Sequence, residues 1–184
     1  MRKLKLQVQM TVDGYIAGPN GEMDWMSFNW DNELNQYVTD ITGSVDCIIL
    51  GRKLAQGFIP HWAAHPEEDG AAKINNTPKV VFTKTLVNSE WANTVLAKGD
   101  LVEEIMQLKQ QAGKDMIAYG GAAFVSALIQ YGLIDEFHLL INPAAIGDGM
   151  PIFKGLTSQQ KLKLVKSRSF DCGIVLLCYQ PAAI

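Results

Sequence analysis

The chain has 184 residues but only three cysteines, Cys47, Cys172 and Cys178, with no C-x-x-C pair among them. An odd, widely spaced set excludes a disulfide framework and a paired-cysteine metal or redox motif. Cys47 lies in the apolar run Val45-Asp46-Cys47-Ile48-Ile49-Leu50, which reads as a buried, reduced thiol and points to a reducing cytoplasm. An excess of positive charge is also missing. Sixteen Lys and Arg stand against 19 Asp and Glu, spread along the chain for a net charge of -3, so no basic surface for nucleic acid is expected. A hydrophobic share of 48% with 19% charged residues excludes disorder. No fixed-period repeat is present.

Membrane segments are lacking too. Met1-Arg2-Lys3-Leu4-Lys5-Leu6-Gln7 is positive but then alternates, so it does not read as a signal peptide. The longest uncharged stretch, residues 116–134, has 19 residues between Asp115 and Asp135. It holds Gly120-Gly121, Ser126, Gln130 and Gly132, and its flanks are acidic. Phe124/Leu128 and Val125/Ile129 fall at i, i+4 after the glycine pair, so a strand, a turn and a helix fit better than a membrane span.

Several catalytic signatures are absent. The G-x-G-x-x-G fingerprint follows no strand, and there is neither a Walker pattern nor a G-x-S-x-G elbow. His61 and His65 have i, i+4 spacing, but they lie between Pro60 and Pro66 with no third ligand evident, so no metal is assigned. His138 reads as a packing residue within a strand.

What is present is a single domain spanning 1–184 with strands and helices in alternation. Leu4, Leu6, Val8 and Met10 alternate with polar residues and predict a strand over 3–11. Asp31 is placed as the N-cap of a helix carrying Leu34, Tyr37, Val38 and Ile41, closed by Gly43. A strand over 47–50 feeds Gly51-Arg52-Lys53 and a short helix. Residues 60–78 read as irregular. Strands follow over 79–83 and 95–97. Asp100-x-x-Glu103 forms a capping box for a helix ending at Gly113. A strand to Tyr119, a helix after the glycine pair and a strand over 136–141 come next. A hairpin of strands over 162–168 and 173–179 completes about eight strands and four helices. Such alternation predicts a mostly parallel sheet with helices on both faces and a C-terminal antiparallel hairpin.

In open α/β sheets ligands bind at the carboxyl ends of strands. Three such ends carry suitable residues. Gly120-Gly121-Ala122 could open a helix whose amides meet a phosphate, although small residues also serve close helix packing. Gly51-Arg52-Lys53 places two cations where they oppose the helix dipole unless an anion is bound, or else are simply solvated. Thr83-Lys84-Thr85 suits a further phosphate, or a solvated turn. Jointly they point to a dinucleotide with an extra phosphate, NADP.

Thr11-Val12-Asp13-Gly14-Tyr15-Ile16-Ala17, Leu50-Gly51-Arg52-Lys53, Val81-Phe82-Thr83-Lys84 and Ala118-Tyr119-Gly120-Gly121-Ala122 occur in an order and spacing that resembles the dihydrofolate reductase superfamily. Asp135-Glu136-Phe137-His138, Asn142-Pro143 and Gly147-Asp148-Gly149 to Phe153 resemble the branch typified by the reductase domain of riboflavin biosynthesis. The resemblance implies a dihydrofolate-reductase-like α/β domain with an eight-stranded sheet, and NADPH laid across the strand ends. Gly51, Arg52 and Lys53 would meet the cofactor phosphates, and Thr83 and Lys84 the 2′-phosphate end. Gly120, Gly121 and Ala122 would pass the pyrophosphate, with a cis peptide between the glycines. Ile16 and Ala17 would border the nicotinamide, and the first loop, residues 13–25, would act as a lid. Leu54 stands where the family usually has threonine. Asp31 takes the place of the catalytic acid, with Glu33 nearby, and Gln9 and Thr11 would touch substrate. The expected protein is a cytoplasmic, homodimeric NADPH-dependent reductase of a small heterocyclic or sugar-linked substrate, with no nucleic acid or membrane partner. A pteridine or dihydrofolate-type reductase and a non-catalytic NADP-binding protein are the alternatives.

Overall fold

A computed structural model describes residues 1–182, so the last two residues of the expected 1–184 domain lie outside the described residues. In chain order the elements are β1 (Leu4–Thr11), α1 (Asn32–Gly43), β2 (Val45–Gly51), α2 (Arg52–Ala64), α3 (Ala71–Asn76), β3 (Lys79–Phe82) and β4 (Thr94–Ala97). They continue with α4 (Leu101–Gln110), β5 (Asp115–Ala118), α5 (Ala122–Gln130), β6 (Glu136–Asn142), β7 (Leu162–Ser169) and β8 (Val175–Pro181). One eight-stranded sheet has the order β4-β3-β2-β5-β1-β6-β8-β7. The strands from β4 to β6 in that order run parallel, and the β6–β8 and β8–β7 pairs are antiparallel. This is the expected α/β architecture.

Helices cover both faces. On one, Ile105 of α4 and Val125 and Leu128 of α5 pack against Leu4, Leu6, Val8 and Met10 of β1. On the other, Ile41, Ala55, Ile59 and Ile74 from α1, α2 and α3 cover Ile48, Leu50, Val81 and Ile117. Leu34 of α1 joins Leu140, Leu176, Phe170 and Ile174 beside it. Each fully buried aliphatic side chain there contributes about 1.5–3 kcal/mol through removal from water.

Three sequence expectations change. Residues 60–78 are not irregular: α2 carries Pro60 within it and runs to Ala64, and α3 follows. Proline costs that helix one amide donor, but Ala55 and Ile59 are buried and hold it on the sheet. The described residues therefore hold five helices. The capping box is half-formed. Asp100 accepts from the amides of Val102 and Glu103, but Glu104, not Glu103, reaches back, accepting from the Gly99 amide at 3.1 Å. Finally, no peptide bond among the described residues is cis. Gly120 and Gly121 turn instead through positive φ angles of 145° and 79°, which only glycine adopts freely.

Candidate active site

The parallel strands all end on one edge of the sheet, and α1, α2, α4 and α5 begin there. Their N-termini are built in two ways. At α1, Asp31 Oδ1 accepts the Leu34 amide at 2.8 Å, with Glu33 in the first turn. At α4, Asp100 accepts two amides and Glu103 and Glu104 stand in the first turn. These ends are closed by the chain's own carboxylates. By contrast α2 starts at Gly51 and α5 at Gly121, with no side-chain cap and no acid in either first turn. Their leading amides have no intrahelical partner and point a positive partial charge off the sheet edge.

Those two open ends follow β2 and β5, which are adjacent strands. Arg52 and Lys53 stand on the first turn of α2, where Arg52 Nη1 donates to Gln56 at 3.2 Å. Lys84, beyond the end of β3 next along the sheet, donates to the carbonyls of Lys98 and Gly99 at 2.9 and 2.7 Å. The Thr83 hydroxyl accepts from the amides of Thr85 and Leu86, which fixes the turn carrying Lys84. All three expected phosphate loops thus occupy neighbouring strand ends, a donor set that suits a polyanion.

The glycines there have different causes. A Cβ on Gly51 would lie 2.7 Å from Cβ of Phe124, so this glycine lets α5 approach β2. Gly120 and Gly121 have room, with Leu54 the nearest neighbour at 3.9 and 3.5 Å from a built Cβ, and are required by their positive φ. Leu54, in place of the family threonine, thus lays an apolar side chain against the glycine pair. Ala122 begins α5 directly after it.

At the end of β1 the loop is anchored. The Ile16 amide donates to the Met150 carbonyl at 3.0 Å, and the Met150 amide donates to the Ala17 carbonyl at 2.8 Å. The Asp13 carboxylate accepts from the amides of Ile146 and Gly147. Its pKa is lowered, first by the Thr11 hydroxyl and then by the Gly147 amide. The Thr11 hydroxyl exchanges hydrogen bonds with the Tyr15 backbone and is buried. The expected lid is therefore pinned over its first residues, and Thr11 serves that turn.

The sheet face beneath α1 holds what alternation alone conceals. Lys5, Gln7 and Thr11 of β1 are buried, not solvated. Beside them the buried Asn142 donates to Gln9 Oε1 at 2.7 Å and accepts from the Ser27 amide at 3.1 Å. Lower down, the Tyr37 hydroxyl bonds His138 Nδ1, and His138 Nε2 lies 3.4 Å from Glu136. Burial is the main cause lowering the His138 pKa, against Glu136, and burial also raises that of Tyr37. The Gln7 side-chain oxygen is buried here as well, and the Tyr119 hydroxyl is buried near Thr42 of α1.

Asp31 stands at the edge of that floor. Its second oxygen accepts the Cys172 amide at 3.2 Å in the turn between β7 and β8. Its pKa is lowered, chiefly by the Leu34 amide, so it is an ionised acceptor at neutral pH. Glu33 is turned outward and pairs with Arg168.

The chain matches the RibD C-terminal domain over residues 2–176. Two Bacillus subtilis (strain 168) proteins of uncharacterized function are similar: YyaP is 34% identical, covering 97% of this chain and 94% of that one, and YwjB is 27% identical over 95% and 96%. The fold is shared with a Shewanella sp. PV-4 protein assigned to riboflavin biosynthesis, at TM-score 0.76 and 22% identity, covering both chains fully. It is shared too with the Thermotoga maritima diaminohydroxyphosphoribosylaminopyrimidine deaminase/5-amino-6-(5-phosphoribosylamino)uracil reductase, at TM-score 0.73 and 19% identity, over 98% of this chain and 57% of that one. No helix among the described residues is long and apolar enough to cross a membrane. This protein belongs to the RibD C-terminal domain family.

Proposed function

We propose that the protein is an NADPH-dependent reductase of a small heterocyclic or sugar-linked substrate, most like 5-amino-6-(5-phosphoribosylamino)uracil. The observation that carries this reading is the pair of uncapped helix N-termini on adjacent strands, flanked by Arg52, Lys53 and Lys84. When bound, NADPH supplies the hydride, and the chain supplies binding, orientation and exclusion of water. The amides opening α2 and α5, with Arg52 and Lys53, hold the pyrophosphate, and Lys84 holds the 2′-phosphate. Ile16 and Ala17 border the nicotinamide. Asn142 engages the carbonyl oxygen of Gln9, leaving the Gln9 amide hydrogens to donate to a substrate carbonyl. Asp31 anchors α1 over the floor, and ordered water delivers the proton. A second copy is the expected partner, consistent with the half-exposed Leu164 and Val165 on edge strand β7; sedimentation giving a single-chain mass would exclude it.

Calorimetric titration with NADPH, followed by turnover assays on the uracil substrate and on dihydrofolate, tests the reading. Preferential oxidation of NADPH with the uracil substrate is expected. Preference for dihydrofolate would move the protein to the pteridine class. Tight NADPH binding without oxidation across pyrimidines and pteridines would make it a binding protein, and absence of binding would remove the cofactor assignment.

A further inference from the structure

His61, His65 and Glu68 form a cluster at the other end of α2 from Arg52. At about 1.5 Å rise per residue, the helix sets His61 about 14 Å and His65 about 20 Å along its axis from Arg52. His61 lies in its last turn and His65 ends it, so both rings fall on one side, with centroids 4.5 Å apart. The chain then folds back: the Glu68 amide donates to the His65 carbonyl at 3.2 Å. That turn brings Glu68 Oε2 to 3.3 Å from His61 Nε2. One nitrogen from each imidazole and one carboxylate oxygen lie within 4.8 Å of one another.

Two details go beyond adjacency. His65 Nδ1 is 2.8 Å from the His61 carbonyl oxygen, which accepts only, so Nδ1 is the donor in that contact and Nε2 is the ring nitrogen left to face a ligand. A backbone carbonyl orienting the second ring nitrogen is the usual support of a metal-ligating histidine. Zinc bonds of ~2.0–2.1 Å set tetrahedral donor atoms ~3.3 Å apart, so a metal ion replacing the proton between His61 Nε2 and Glu68 Oε2, 3.3 Å apart as a hydrogen-bonded pair, would need little rearrangement. The negative end of the α2 dipole adds attraction for a cation.

We propose that His61, His65 and Glu68 bind a divalent transition-metal ion of the imidazole-preferring class, with zinc as the type and water completing the shell. Two nitrogen donors and one oxygen disfavour calcium and magnesium, which take oxygen ligands. The ion ties the end of α2 to the turn that leads into α3.

The test uses the tag-free full chain, stripped with a chelator and titrated with zinc by calorimetry and with cobalt by visible absorption. Wild type is expected to take one ion per chain and to develop cobalt bands without a thiolate charge-transfer band. His65→Ala and Glu68→Gln should each weaken binding by about tenfold or more, and a His61→Ala, His65→Ala double variant should abolish it. His61 and Glu68 are exposed and His65 is half-buried, so metal-free melting curves of Glu68→Gln should match wild type, those of His65→Ala should lie close to it, and NADPH titrations should be unchanged, which separates metal loss from misfolding. Coincident wild-type and double-variant isotherms, a thiolate band, or equal displacement by magnesium would overturn the site.

Discussion

Helices α1 and α4 begin on the same sheet edge as α2 and α5, yet the first two close their own N-termini and the other two do not. Asp31 and Asp100 occupy the leading amides of α1 and α4, and acids in the first turns complement the dipole. At α2 and α5 the cap positions are glycine, and α2 adds Arg52 and Lys53 where positive charge is unfavourable in isolation. Glycine in place of a capping side chain gives up only a few tenths of a kcal/mol, so the two cations are the larger departure from the pattern of α1 and α4. Two open ends on neighbouring strands, with cations added, are the arrangement on which the proposed binding of a phosphate-bearing cofactor rests.

The contrast can be broken most sharply at Arg52. Arg52→Glu should lower NADPH affinity about 100-fold, the scale of a charge-assisted contact turned repulsive. The same variant should melt no lower than wild type, because the new carboxylate suits the helix start. Lys84→Ala should be milder and selective, cutting the preference for NADPH over NADH about tenfold; equal losses for both cofactors would place Lys84 away from the 2′-phosphate. The closed ends should behave inversely. Asp100→Ala should cost about 1 kcal/mol in denaturant unfolding while NADPH titrations shift less than twofold. Asp31→Asn keeps an acceptor for the Leu34 amide but sets an NH2 donor against the Cys172 amide, so stability should fall slightly while turnover survives. A collapse of kcat with no larger loss of stability would instead make Asp31 the proton donor.

The smallest effect concerns the floor beneath α1. Burial depresses the His138 pKa below the ordinary histidine value of 6.5. The unfolded chain then binds more protons than the folded one below that pH, so this residue's contribution is complete above pH 6.5 and declines as pH falls. Tyr37, Glu136, Lys5 and Lys166 face it or act on it, and Cys178 is its register partner on β8. Melting temperatures of His138→Gln should therefore vary less between pH 6.5 and 5 than those of wild type. Parallel curves would show that His138 does not set the acid response.

Much of this edge was legible in the residues. Asp31 and Asp100 announce caps because a short acceptor before an apolar periodic run has one common use. The β strands announce themselves by alternation or by short apolar runs. The floor was not legible, because Lys5, Gln7 and Gln9 alternate with Leu4, Leu6 and Val8 just as a solvated face would. Only the placement of β1 between β5 and β6, with α1 above, buries Lys5 and Gln7 and half-buries Gln9. The stretch 60–78 was misread because Pro60 and Pro66 punctuate it, and with α2 unseen beyond Pro60, Glu68 could not be recognised as a neighbour of His61. The two glycine signals also looked alike. Gly51 answers to the approach of Phe124, whereas Gly120 and Gly121 answer to their own backbone angles.

By itself the sequence determined the alternating α/β plan, the two capped helices and the three cation- or glycine-bearing strand ends, since local pattern and propensity act over a few residues. Tertiary structure decided that those ends lie on adjacent strands, that the polar half of β1 is buried, and that two histidines and a glutamate meet beyond α2. Each of these depends on packing between segments far apart in the chain, where the energy comes from contacts that no local window contains.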